Sequence, residues 1–143
     1  MKMTLRQGGF VVAALVIALV GCSGTGSPFD SVPVSGKVTY EDGSPIPVSG
    51  MTLYFFCQEP PQKGMHPRPA SVSVGPDGTF DTVTTYKYGD GLVLGKHKVA
   101  IICHEQGKSS PKIPKGYDVA LNTPLTVEVT HSGQVLDIKV PKP

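Results

Sequence analysis

Turn-forming residues punctuate this chain so often that no long helix fits between them. Glu41-Asp42-Gly43-Ser44-Pro45, Gly75-Pro76-Asp77-Gly78, Tyr86–Gly91 (YKYGDG) and His131-Ser132-Gly133 each combine residues that set or tolerate turn backbone angles. Pro60–Pro69 (PPQKGMHPRP) holds four prolines, which lack an N–H and are excluded from central strands. No window shows the three-and-four apolar spacing of an amphipathic helix. The 17 glycines and 14 prolines therefore read as punctuation between short strands. About seven strands at this spacing predict an all-β sandwich.

The segments between turns alternate in polarity. Val34, Val38 and Tyr40 share one side of a strand, with Gly36 between them. Met51–Cys57 (MTLYFFC) is the most strand-prone stretch, with Leu53, Phe55 and Cys57 on one face and Tyr54 and Phe56 on the other. Lys96–His104 places His97, Val99, Ile101 and Cys103 opposite Lys98, Ala100, Ile102 and His104. Ala70–Val74 with Thr79–Val83, and Leu125–Thr130 with Gln134–Val140, read as hairpins. In the second, Leu125, Val127 and Val129 with Val135, Ile138 and Val140 supply the apolar face, and Asp137 interrupts its register. Glu105–Pro124 is a long irregular stretch of the kind that is often functional.

The amino terminus has a different grammar. Met1–Gln7 carries Lys2 and Arg6, and Phe10–Val20 is an apolar run of 11 residues, too short for the roughly 20 needed to span a bilayer. Leu19-Val20-Gly21-Cys22 closes it and resembles the lipobox of bacterial lipoproteins. The resemblance implies cleavage before Cys22, a diacylglycerol on its thiol and acylation of the new amino terminus. It divides the chain into a leader (1–21), a Gly/Ser/Pro-rich tether (22–33) and one β-sandwich domain (34–143). Ser23, where enteric-type sorting would read Asp as an inner-membrane signal, favours the outer membrane.

Charge gives no case for nucleic acid. Of 13 basic residues Lys2 and Arg6 belong to the leader, which leaves 11 against 11 acidic ones. A nucleic-acid partner needs a concentrated basic footprint. Two cysteines remain beyond Cys22. In an oxidising compartment Cys57 and Cys103 permit one disulfide, and they also suit two small buried side chains; both readings stay open.

Several motifs fall in a familiar order. Gly36-Lys37-Val38-Thr39 precedes Asp42–Pro47, then Leu53-Tyr54-Phe55, Pro76-Asp77-Gly78-Thr79-Phe80 and Leu94–Val99. Together they resemble the carboxypeptidase regulatory-like, or transthyretin-like, β-sandwich domains. Ile113–Tyr117 and Thr123–Val127 are similar to small lipoproteins of planctomycete-type bacteria that carry such domains. The resemblance covers Val34–Val140 and implies a non-catalytic module. It also implies an aromatic where this chain has His97, for which a neutral core histidine with one hydrogen bond is the expectation.

No catalytic constellation, metal site or cofactor site emerges. The hydrolase branch of transthyretin-like folds ends in Tyr-Arg-Gly-Ser, whereas this chain ends Lys139–Pro143 (KVPKP). His66, His97, His104 and His131 lie on separate elements without the spacing of zinc ligands. Asp77, Asp81 and Asp90 lie at turns without a calcium-loop pattern. Lys108, Lys112 and Lys115 with Tyr117 form a basic loop able to face anionic lipid or glycan, and Tyr54, Phe56, Tyr86 and Tyr88 are aromatics suited to surface contacts. The expected protein is a membrane-anchored envelope lipoprotein whose domain meets an envelope protein or glycan. A glycan or small-ligand carrier, with a pocket under Glu105–Pro124, is the alternative, and a degenerate transthyretin-like hydrolase with converging histidines is a more distant one.

Overall fold

A computed structural model describes residues 26–104 and 111–143. The leader, Cys22 and Lys108 lie outside the described residues. Among those residues the chain forms nine strands and no helix: β1 (Ser31–Val32), β2 (Val34–Tyr40), β3 (Met51–Cys57), β4 (Ala70–Val74), β5 (Thr79–Phe80), β6 (Leu92–Val93), β7 (Gly95–Cys103), β8 (Thr126–Val129) and β9 (Gln134–Val140). The excess over seven comes from the two-residue pieces β1 and β6, too short to leave an alternating pattern. Accordingly, none of these residues forms a helix long and apolar enough to cross a membrane.

Two sheets make the sandwich. One has the order β4-β3-β7-β8, all antiparallel, and the other β5-β2-β9, in which β2 and β9 run parallel. A small β1-β6 ribbon closes one end. Leu53, Phe55, Val99 and Ile101 from the first sheet meet Val38, Tyr40, Leu136 and Ile138 from the second in one apolar core. Burying side chains of this size is worth about 1.5–3 kcal/mol each, which is what holds the sheets face to face. Phe80 explains the glycine in β2. Its ring lies on Gly36, where a Cβ would come within 2.5 Å of Phe80 Cζ.

Three expectations are corrected. Neither proposed hairpin forms a strand ladder; across the first turn only Gly75 N–H to the Thr79 carbonyl and an antiparallel Ser71–Thr84 bridge are made. Ala70–Val74 belongs to the four-stranded sheet and Thr79–Phe80 to the three-stranded one, so the Gly75–Gly78 turn carries the chain between sheets. Likewise β8 pairs with β7 whereas β9 pairs with β2. Turn chemistry reverses the chain in both cases but does not choose the neighbouring strand. Second, β9 alternates cleanly, with Leu136, Ile138 and Val140 buried and Val135 72% exposed, so Asp137 sits in phase on the solvent face. Third, the fold begins before Val34. Phe29 is 5% exposed, Ser31 and Val32 pair with Val93 and Leu92, and Leu94 N–H donates to the Asp30 carbonyl at 3.0 Å. Residues 29–33 therefore belong to the domain and not to the tether.

Candidate functional site

The register of β3 against β7 decides the cysteine question. Cys57 faces His97 and Cys103 faces Met51, six ladder positions away. At about 3.4 Å per residue the two stand roughly 20 Å apart, far beyond the Cα separation of a disulfide. The Cys57–Cys103 bridge left open by the sequence is thus not formed. Burial pushes the Cys57 thiol above its ordinary pKa, so it lacks the thiolate character of a nucleophile.

The histidines do not converge. His97 is 1% exposed in the core, its ring edge-on to Phe55, and its Nε2–H donates to the Val93 carbonyl at 2.7 Å. Its Nδ1 is buried without a hydrogen-bond partner, and desolvation drives the pKa below the usual imidazole value. It is a core histidine with one hydrogen bond, as expected where the resembling domains carry an aromatic. His104 lies beyond the other end of β7, exposed and 2.9 Å from Thr52 Oγ1. His66 is exposed in the proline-rich loop, and His131 is exposed between β8 and β9, where its Nδ1 lies 2.9 Å from Thr130 Oγ1. Among the described residues no group of three or more His, Cys, Asp or Glu side chains is placed to hold a metal.

The aspartates are engaged locally. Asp77 Oδ1 accepts from Thr79 N–H and Oγ1–H, which together hold its carboxyl below the usual range, and Asp81 accepts from Thr82. Asp90 is more fully used. It accepts from the backbone N–H groups of Thr85, Tyr86 and Lys87 at 2.8, 2.9 and 3.0 Å and so fixes the Tyr86–Gly91 loop. Of the aromatics, Phe56 is half-buried on the outer face of β3 and Tyr54 exposed. Tyr86 is half-buried beneath the Arg68 guanidinium, 5.5 Å from its ring centroid, while Tyr88 is 89% exposed.

The 111–125 segment is a strap along β7. Val99 N–H donates to the Leu125 carbonyl, Ile101 N–H to the Tyr117 carbonyl, and Thr123 Oγ1–H to the Val99 carbonyl at 2.7 Å. Tyr40 O–H anchors the start of the strap through the Lys112 carbonyl at 2.7 Å. Under it opens a cleft of about 640 Å³ with Ile101, Ile102 and Ile113 in its lining and Lys112, Lys115 and Asp118 among its polar groups. The lysines were visible in the sequence. The isoleucine floor was not, although adjacent Ile101 and Ile102 on opposite strand faces signal that both sides of β7 are covered there. The cleft offers apolar contact beside two cations, with the Cys103 thiol and the Asp118 carboxyl also in its lining. The chain matches no family model, no curated protein and no solved structure.

Proposed function

We propose that this protein is a cell-envelope lipoprotein, held to the membrane by acyl chains on Cys22, whose transthyretin-like β-sandwich is a non-catalytic interaction module. The observation that carries the reading is Leu19-Val20-Gly21-Cys22 after a basic start and an 11-residue apolar run. The entry of the chain into the fold at Phe29 supports it, because only a short tether then separates Cys22 from a folded domain. The dispersal of His66, His97, His104 and His131 speaks for a non-catalytic role. The order of the Gly36–Thr39, Asp42–Pro47, Pro76–Phe80 and Leu94–Val99 motifs speaks for the transthyretin-like class, and Ser23 for the outer membrane. Intact mass of membrane-fractionated protein, beside Cys22→Ala, tests it. A mature mass beginning at Cys22 plus lipid, lost in the variant, is expected. An unlipidated mass, or membrane association unchanged in the variant, refutes the anchor.

A ligand-carrier reading has one observation in its favour, the cleft beneath the 111–125 strap. Its isoleucines beside Lys112 and Lys115 suit a sugar or small molecule with an anionic group. Titration with an anionic uronic-acid oligosaccharide should move the amide resonances of Ile101, Lys112 and Lys115. No movement at millimolar ligand would dismiss this use of the cleft.

A further inference from the structure

The chain enters the domain at one pole of the sandwich, and that pole has a chemistry of its own. The Gly91 α-carbon packs on the Val32 carbonyl and on Pro33, so the Tyr86–Gly91 loop adjoins the entering segment. Pro60–Pro69 lies beside it, since Arg68 N–H donates to Tyr86 Oη at 3.3 Å and Ser71 bridges to Thr84. This second loop is ordered at its tip. Gln62 and Met65 exchange both backbone hydrogen bonds at 2.9 Å around Lys63 (φ 49°) and Gly64 (φ 74°), a tight two-residue turn of the type I′ kind. Its left-handed lysine carries a conformational cost that a glycine or asparagine would not. The two loops present Lys63, Arg68 and Lys87 with exposed Met65 and Tyr88. The one carboxylate within them, Asp90, is turned onto three backbone N–H groups. Other acids stand at this pole: Glu59 accepts from Lys96 N–H, Glu128 stands opposite Lys96 in the β7–β8 ladder, exposed Asp30 lies in the entering segment, and exposed Asp81, which accepts from Thr82 Oγ1–H, precedes the threonine that packs on Gly89.

We propose that these two loops form a docking surface for anionic lipid headgroups, which seats the domain on the membrane by the pole where its tether enters. The proposal rests on the lipid anchor at Cys22. Seven residue steps separate Cys22 from Phe29, a reach of about 25 Å when fully extended. The nine-residue β7 alone is about 30 Å long. A tether that short holds the Phe29 pole at the bilayer and cannot run the length of the sandwich. Lys112 and Lys115, which the sequence offered to the membrane, lie at the far pole, where β2 ends at Tyr40 and Tyr40 O–H meets the Lys112 carbonyl. Lysine and arginine close to an anionic surface are attracted within a Debye length, about 8 Å at physiological salt. An exposed tyrosine and methionine between them suit the interfacial zone, where an apolar body and a polar tip are both accommodated.

The test is hydrogen exchange of the full mature protein in vesicles of phosphatidylcholine alone or with about one-third phosphatidylglycerol, with intact mass recorded on the same sample. Amides of residues 62–68 and 86–90 should exchange at least about fivefold more slowly on the anionic vesicles. The difference should vanish in 0.5 M salt and in the double variant Lys63→Asn, Lys87→Gln, in which asparagine keeps the turn conformation. The 111–125 strap should exchange alike on both membranes. Equal exchange of the two loops on both vesicles, or slowing confined to the strap, overturns the docking surface while a lipidated mass leaves the anchor standing. A mass without lipid removes the anchor and the docking surface together.

Discussion

The two ends of the sandwich are built by different means. At the end where the chain enters, the loops are fixed from within: Asp90 gathers three backbone N–H groups, and Lys63-Gly64 closes a two-residue turn. The strap that runs to the other end has turns of its own, with Tyr117 N–H donating to Pro114 and Asn122 and Thr123 N–H to Val119, and it is fastened to the sheets by hydrogen bonds to β7 and by the Tyr40 hydroxyl. A loop ordered by its own residues presents its side chains in a set arrangement whatever lies nearby. A strap fastened to a neighbouring strand keeps its place only through those bonds.

Placing one substitution at both ends would break the comparison most directly. Gly91 and Gly116 both have left-handed backbone, φ 90° and 94°. A Cβ at Gly91 would collide with the Val32 carbonyl, whereas at Gly116 the nearest atom is Asn122 Cβ at 3.6 Å. Gly91→Ala is expected to cost about 3 kcal/mol or more and Gly116→Ala about 1 kcal/mol, measured by urea unfolding. Equal costs would mean that the entering segment yields as easily as the strap. Asp90→Ala comes next. It leaves three amide donors of a half-buried loop to water alone, at about 2–3 kcal/mol, with faster exchange at Thr85, Tyr86 and Lys87. A loss under 1 kcal/mol would remove Asp90 as the organiser of its loop.

Thr123→Val probes the strap. The hydroxyl donates to the Val99 carbonyl and accepts from Leu125 N–H at 3.2 Å, and valine keeps the shape without either bond. The expected loss is about 1–2 kcal/mol, with exchange raised along 111–125 and unchanged at residues 86–90. Exchange rising at both ends would show that the two loop systems unfold as one.

What the sequence made legible follows from which interactions are local. The faces of β3 and β7 were readable because alternation is imposed residue by residue, and Leu53, Phe55, Val99 and Ile101 are buried as that pattern required. The partner of a strand is not local. Gly75–Gly78 and His131–Gly133 turn the chain as their composition demands, yet each hands it to the opposite sheet, where Phe80 covers Gly36 and β9 lies parallel to β2. The cleft was half legible for the same reason. Lys112 and Lys115 stand together in sequence, whereas the Ile101–Ile102 floor reaches them only through the strap's bonds to β7.

The smallest effect, absent at neutral pH, comes from His97, whose carbonyl partner Val93 lies in the ribbon at the entry end. Desolvation lowers its folded pKa, and the Val93 hydrogen bond and the Glu59 charge only partly oppose it. Well above pH 6.5 the ring is neutral folded or unfolded and contributes no pH dependence. As pH falls through 6.5 the unfolded chain takes up a proton that the buried ring does not, so stability declines from there down to the folded pKa. The decline cannot exceed one proton's worth, about 1.4 kcal/mol per pH unit. Asp42, whose carboxyl Lys142 and Ser44 hold well below the usual carboxylate range, and Asp77 act only below pH 3.8, where their stabilising contributions are lost as they protonate. The interval from pH 7.5 to 5 therefore isolates His97 among these groups. Unfolding curves of the protein should shift to lower urea across that interval, and those of His97→Phe should not. If the variant keeps the slope, the proton enters elsewhere and His97 is no more than a packing residue. If the slope is lost and amides at Leu92 and Val93 exchange faster in acid, protonation loosens the entry end first, while the strap, held by neutral hydroxyl and carbonyl groups, stays in place.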